Sequence, residues 1–166
     1  FPQAFTKLIL GKYFRPDDHE DGRARFAPYG LRKVEALLAQ EFGRENVVVS
    51  HYDNLGRFIG PSTKVFAATS MDPMGLAYVS TTYNSLIGVG GESLNSVEFR
   101  RMMNHPALKK HHPTIVVGGP GVWQIRDTNS EKRINIDFLF QGESERDLLG
   151  YFHRILDGEK VPQYFV

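Results

Sequence analysis

The chain has 166 residues, no cysteine, and 20 Lys and Arg against 19 Asp and Glu; that length suits one globular domain with a core of its own. A net charge of +1 sets up no field that would draw nucleic acid or an anionic membrane, and no apolar run approaches the ~20 residues that span a bilayer. Without cysteine there are no disulfides, thiolate metal sites or cysteine nucleophiles within these residues, which favours a cytoplasmic setting. No charged-then-apolar signal peptide is visible, and a first residue of Phe rather than Met leads us to expect a fragment or a processed chain.

The apolar stretch Lys7-Leu8-Ile9-Leu10 reads as a first buried strand. It is followed by Asp17-Asp18-His19-Glu20-Asp21-Gly22, which spells D-x-H-x-x-G. In that pattern His19 can offer an imidazole nitrogen to a metal, Asp17 can hold the other ring nitrogen and fix the tautomer, and Gly22 lets backbone approach a large flat ligand. A charged, solvated loop is the plainer reading of the same acidic stretch. Pro28-Tyr29-Gly30 then opens a helix that runs to about Phe42, with Leu31, Val34, Leu37, Leu38 and Phe42 on one face and Gly43 as its stop. Val47-Val48-Val49 is a short β-branched run of the kind found in sheets covered on both faces. Asp53 after it can bind a ribose, as acidic residues do in dinucleotide folds, or cap a turn with Asn54.

Residues 64–69 predict a third strand, ending at Ser70, which can hydrogen-bond a ligand or cap a turn. Residues 72–94 show no clean period and are long for a plain connection, so a functional cap or an extra small element is expected. Within them Gly88-Val89-Gly90-Gly91-Glu92-Ser93 could cradle a phosphate, although no clear strand precedes it and a flexible loop fits better. Asn95 and Glu98 have capping-box spacing before a helix whose Val97, Phe99, Met102 and Met103 are core. His105, His111 and His112 flank prolines in what reads as a solvated connection rather than a metal site, and Lys109-Lys110 is too small a basic patch for nucleic acid. Thr114-Ile115-Val116-Val117 is a fourth strand, ending in Gly118-Gly119-Pro120-Gly121. Trp123 serves packing or a ligand edge. Residues 136–140 form a fifth strand, ending in Gly142-Glu143. Ser144 and Asp147 then cap a last helix through Leu148, Leu149, Phe152, Ile155 and Leu156, stopped by Gly158.

Strands alternating with helices predict an α/β fold with a doubly wound, mostly parallel five-stranded sheet in the flavodoxin-like order. Ligands of such sheets bind outside the carboxyl ends of the strands. That rule selects the loop over residues 11–28 and the turns at Ser70-Met71-Asp72, Gly118-Gly119-Pro120 and Gly142-Glu143. Their glycines make either tight turns or room for a bulky ligand.

Several of these segments resemble a known family. Leu8-Ile9-Leu10 followed by Pro28-Tyr29-Gly30-Leu31, then Thr114-Ile115-Val116-Val117-Gly118-Gly119-Pro120, then residues 136–145 (IDFLFQGESE), are similar to the strand and P-x-G-L helix start, the "VVGGPH" segment and the "vDfvvrGEGE" segment of the Rossmann-like cobalamin-binding domains of radical S-adenosylmethionine enzymes. The likeness runs from about residue 6 to residue 160. It implies a module, spanning residues 1–166, that holds a corrin for a downstream radical catalytic domain, with methyl transfer or a rearrangement as the chemistry. It further implies a cobalamin site at Ser70, Met71, Gly118, Gly119, Pro120, Gly142 and Glu143. The D-x-H-x-x-G stretch is the lower-ligand device of many cobalamin domains, which adds Asp17, His19 and Gly22, with His19 on cobalt. In those domains the helix follows almost at once, whereas here residues 23–29 intervene. The family's three-cysteine motif for a 4Fe-4S cluster and S-adenosylmethionine is absent, so the catalytic domain is expected beyond Val166 and these residues alone are not expected to be catalytic. Two further readings stand beside this one: a domain of the same kind that has lost the cofactor and only docks a partner, and a Rossmann-like domain for a nucleotide or phosphorylated ligand.

Overall fold

The computed structural model describes residues 18–86 and 92–166. The first strand expected at residues 7–10, Asp17, and the glycine string at residues 88–91 lie outside them. Four strands form one sheet: β1 (Val65–Thr69), β2 (Thr114–Gly118), β3 (Phe138–Phe140) and β4 (Tyr164–Phe165). They are ordered β1-β2-β3-β4 and every neighbouring pair is parallel. A parallel pair cannot be closed by a tight turn, so each connection must cross over. The helices of those crossovers are α3 (Tyr78–Leu86), α4 (Leu94–Met103) and α5 (Pro106–His111) between β1 and β2, α6 (Val122–Asp127) before β3, and α7 (Ser144–Leu156) before β4. Ahead of β1 come α1 (Tyr29–Phe42), a 3-10 turn at Tyr52–Asn54 and the single-turn α2 (Leu55–Phe58).

Alternation along the strands sorts the core into two layers. Ile115 and Val117 of β2 and Leu139 of β3 face a cluster that includes Leu55, Phe99, Met103, Leu108, Val122 and Ile125. Val116 and Phe140 point the other way, onto Leu38 of α1 and Leu148, Tyr151 and Phe152 of α7. The sheet is therefore covered on both faces, as the near-continuous apolar runs of β2 and β3 require. No helix among the described residues is long and apolar enough to cross a membrane.

The structure departs from the sequence reading in several places. Among the described residues Val47-Val48-Val49 joins no strand of the sheet. Among the described residues its backbone pairs instead with the turn before α1: the Val49 carbonyl accepts from the Ala24 amide at 2.8 Å, and Ser50 bridges Arg23 antiparallel. β-Branched composition favours extended backbone but does not choose the pairing partner. β4, at Tyr164–Phe165, was not expected; it pairs with β3, and its Phe165 ring stacks on Phe140 at 5.1 Å. Among the described residues the sheet has four parallel strands in the order β1-β2-β3-β4, and of the five expected strands the one at residues 7–10 lies outside them. α4 starts earlier than the spacing of Asn95 and Glu98 suggests. Ser93 is its cap, and the Ser93 Oγ accepts from the Ser96 amide at 3.2 Å. The stretch around His105 is helical rather than a loop: His105 caps α5 through Nδ1, with Pro106 at the first helical position, where its missing N–H costs nothing. The aperiodic segment after residue 72 contains α3.

Candidate functional site at the carboxyl rim

At the carboxyl end of the sheet the turns after β1 and β2 lock into each other. Gly119 has φ +96°, and a Cβ there would overlap Thr69 Oγ1 and crowd the Ser70 backbone. A Cβ at Gly121 would overlap Pro73 and stand 2.8 Å from the Met71 carbonyl. Both positions therefore exclude any larger residue, because the turn after β1 fills the space. Hydrogen bonds fasten the contact, with the Gly121 amide donating to the Ser70 carbonyl at 2.9 Å. Gly118, Gly119 and Ser70 are thus brought together by backbone contact, while the neighbouring Pro120 and Met71 stay exposed.

The centre of this arrangement is a residue whose role the sequence did not announce. Asp72 is buried, and its carboxylate accepts from the Ala77 amide at 2.9 Å, from Gln124 Nε2 at 2.8 Å and from Ser80 Oγ. Burial by itself would raise the Asp72 pKa; the hydrogen bonds from Ser80, Ala77 and Gln124 outweigh it and hold the carboxyl below its ordinary value. Gln124 is fully buried in α6, and its Oε1 accepts from the Met74 amide at 3.0 Å. One carboxylate and one amide side chain thereby tie together the turn after β1, the first turn of α3 and the first turn of α6. The one sequence signal was an Asp-Pro pair directly after a strand, which marks a turn; Gln124 carried none.

The backbone segments so tied carry exposed apolar side chains. Met71 is 76% exposed, Tyr78 83% and Val79 66%, and Trp123 on the first turn of α6 is 39% exposed. Neither residues 69–76 nor residues 118–124 contain a Lys or Arg. Gly142 and Glu143 follow β3, both exposed; Gly142 lies against the Phe140 and Phe165 rings, and Glu143 stands at the N-cap of α7 without a side-chain bond. Beside them Tyr164 Oη bonds Gln141 and receives Arg126 Nη1 at 2.8 Å.

The D-x-H-x-x-G stretch is held by a different part of the chain. His19 is exposed. The carboxylate of the adjacent Asp18 is engaged by His51 Nδ1 at 2.6 Å and by Asn54 Nδ2 at 2.7 Å. Gly22, at φ +91°, packs where a Cβ would press on Arg57. These contacts fix residues 18–24 on the segment of residues 49–57. A carboxylate-oriented imidazole occurs here in His51 on Asp18, a pair that lies 33 positions apart and that the local motif could not reveal. Asp53, expected in a turn with Asn54, sits in the 3-10 turn and accepts from Arg101 at 3.2 Å. Among the described residues no group of three His, Cys, Asp or Glu is placed to hold a metal ion. Comparison with protein-family models, curated proteins and solved structures finds no match to the chain.

Proposed function

We propose that this chain is a cobalamin-binding module, which presents a corrin at the carboxyl rim of its sheet to a radical S-adenosylmethionine domain elsewhere in the protein. The observation that carries the reading is the set of exposed apolar side chains Met71, Tyr78, Val79 and Trp123 on segments tied together by Asp72 and Gln124, beside turns that lack Lys and Arg; we call this set the apolar shelf. A corrin is broad, largely apolar and edged with neutral amides. It calls for apolar contact and uncharged hydrogen-bond partners, as ligand sites in general do. A phosphorylated ligand would call for cations or free helix amides. The rim of a parallel sheet is where ligands of such folds bind.

The shelf residues and the exposed Pro120 and Glu143 would hold the macrocycle, with Ser70 and the backbone of residues 118–121 as neutral partners. Bound cobalamin would supply methyl-transfer or rearrangement chemistry to the partner domain. His19 is the imidazole that the D-x-H-x-x-G resemblance offers to cobalt.

One specific observation favours the reading without a cofactor. The spaces beside Gly119 and Gly121 are filled by the chain itself, so those glycines serve the packing of two turns, and the shelf would then dock a partner protein. One reconstitution separates the two. The 166-residue chain, incubated with hydroxocobalamin and desalted, should retain a corrin absorbance spectrum at about one equivalent. Loss of the corrin on desalting rejects the proposal in favour of the docking domain. Retention of a dinucleotide instead supports the nucleotide reading. A gene sequence past Val166 without a three-cysteine motif rejects the radical-enzyme assignment.

A further inference from the structure

Asp72 and Gln124 are the most deeply buried polar pair on the rim, and neither side chain reaches its surface. Asp72 is 3% exposed and Gln124 is 0% exposed. The pair touches each element that carries the shelf. Asp72 is itself in the turn with Met71, bonds the Ala77 amide next to Tyr78, and bonds Ser80 one turn into α3. Gln124 directly follows Trp123 and accepts from the amides of Met74 and Leu76 at 3.0 and 3.4 Å.

An exposed apolar side chain on a turn has no packing of its own to keep it in place, so its position is inherited from the backbone beneath it. Here that backbone comes from segments 50 residues apart in sequence, at Met74 and Gln124. The hydrogen bonds of Asp72 and Gln124 fix these segments relative to one another, so the exposed side chains they carry are held in one arrangement. A preorganised shelf binds more tightly, because ordering is not charged against binding.

We infer that Asp72 and Gln124 are positioning residues of the corrin site, acting through the backbone that carries Met71, Tyr78 and Trp123; this rests on the cobalamin reading above. The bond runs from an amide donor to a carboxylate acceptor, so it can be inverted. Gln124→Glu sets two carboxylates against each other at the present 2.8 Å contact, and like charges that close repel. Adding Asp72→Asn restores one donor and one acceptor. Met74 and Leu76 still find an oxygen at residue 124 and Ser80 still finds one at residue 72; the Ala77 bond is the one given up, because Ala77 and Gln124 share Oδ1 of Asp72 and the asparagine amide takes that place.

The chain carries its own reporter, since Trp123 is its one tryptophan and the corrin absorbs where tryptophan emits. Titration of the 166-residue chain with hydroxocobalamin, read by Trp123 quenching, should give a Kd about tenfold weaker for Gln124→Glu than for the wild type. The double variant should return to within about threefold of the wild type. Far-UV circular dichroism confirms that each variant is folded under the assay conditions. Should Gln124→Glu fail to fold, Ser80→Ala replaces it: the loss of one donor on α3 should weaken hydroxocobalamin binding about threefold. Wild-type affinity in a folded Gln124→Glu, or in Ser80→Ala where that stands in, overturns the positioning role while the cobalamin reading stands. So does a folded double variant that stays as weak as the single one. If the wild type itself neither quenches nor retains hydroxocobalamin, the cobalamin reading fails and this inference with it.

Discussion

Replacing Asp72 by leucine keeps the number of side-chain heavy atoms, adds some bulk, and removes the acceptor that three donors share among the described residues: the Ala77 amide, Ser80 Oγ and Gln124 Nε2. A hydrogen bond to a charged group contributes about 1.5–3 kcal/mol, and a buried donor left without a partner costs about 1–3 kcal/mol. The Gln124 amide is fully buried, so it bears that cost in full. Ser80 and Ala77 are only half-buried and recover part of theirs from water. Against this, leucine gains about 1–2 kcal/mol of apolar burial. The net loss for Asp72→Leu is then about 3 kcal/mol. Asp72→Asn is the control. Its Oδ1 still accepts from Ala77 and Gln124, and Ser80 can turn its hydroxyl to accept from Nδ2, so only the charge assistance is lost, at about 1 kcal/mol. The pH dependence has a definite sign. A carboxyl whose folded pKa lies below the ordinary 3.8 contributes stability that is complete above that value and fades as pH falls through the folded pKa. The difference between wild type and Asp72→Asn should therefore be largest near neutrality and shrink below about pH 4. Urea denaturation followed by circular dichroism at pH 7 and below measures all three proteins, with unchanged m-values as the check on two-state behaviour. A leucine variant within about 1 kcal/mol of the wild type, or an asparagine variant as weak as the leucine one, would refute the account of Asp72 as the tie of the rim.

Gly119→Ala forces a side chain into a left-handed backbone at φ +96° and against Thr69 Oγ1; it should cost about 2–4 kcal/mol in the same denaturation assay. Gly150→Ala on α7, with open space at its Cβ, should instead stabilise by about 0.5–1 kcal/mol. Two tyrosines should give an alkaline transition. Burial pushes Tyr151 up to about 12, and burial with a hydrogen bond to Glu98 does the same for Tyr52. With folded pKa values above the ordinary 10.0, their contribution is complete below pH 10 and is lost as pH rises towards 12, so the melting temperature should fall across that window and fall less in Tyr151→Phe. If His19 ligates cobalt, His19→Ala should move the bound hydroxocobalamin spectrum from a histidine-ligated form to one without histidine, and an unchanged spectrum would remove His19 from the site.

Much of the architecture was legible in local pattern. β1, β2 and β3 lie within a residue or two of the β-branched and aromatic runs that predict them, and α1 closes at Phe42 with Gly43 after it, as expected. These succeed because apolar periodicity reports which face of an element is buried, whatever lies opposite. The same signal is silent on pairing. Val47-Val48-Val49 has the composition of a central strand, yet among the described residues its backbone answers that of Ala24. The two residues of β4 are too short to carry a period and become a strand only because the β3 edge lies beside them.

The rim divides in the same way. From residue order alone it followed that turns rich in Gly and Pro end β1, β2 and β3 at one edge of a parallel sheet, since chain direction and sheet type are written in the alternation of elements. Only folding decided what those turns do. Gly119 is a glycine because Thr69 occupies its side-chain space, and Asp72 is anchored by Gln124, 52 residues along the chain. Asp18 bonds His51 and Asn54. Each of these choices depends on which groups meet after long loops close, and hydrogen bonds form between groups that meet in space, so no window of neighbouring residues contains the information.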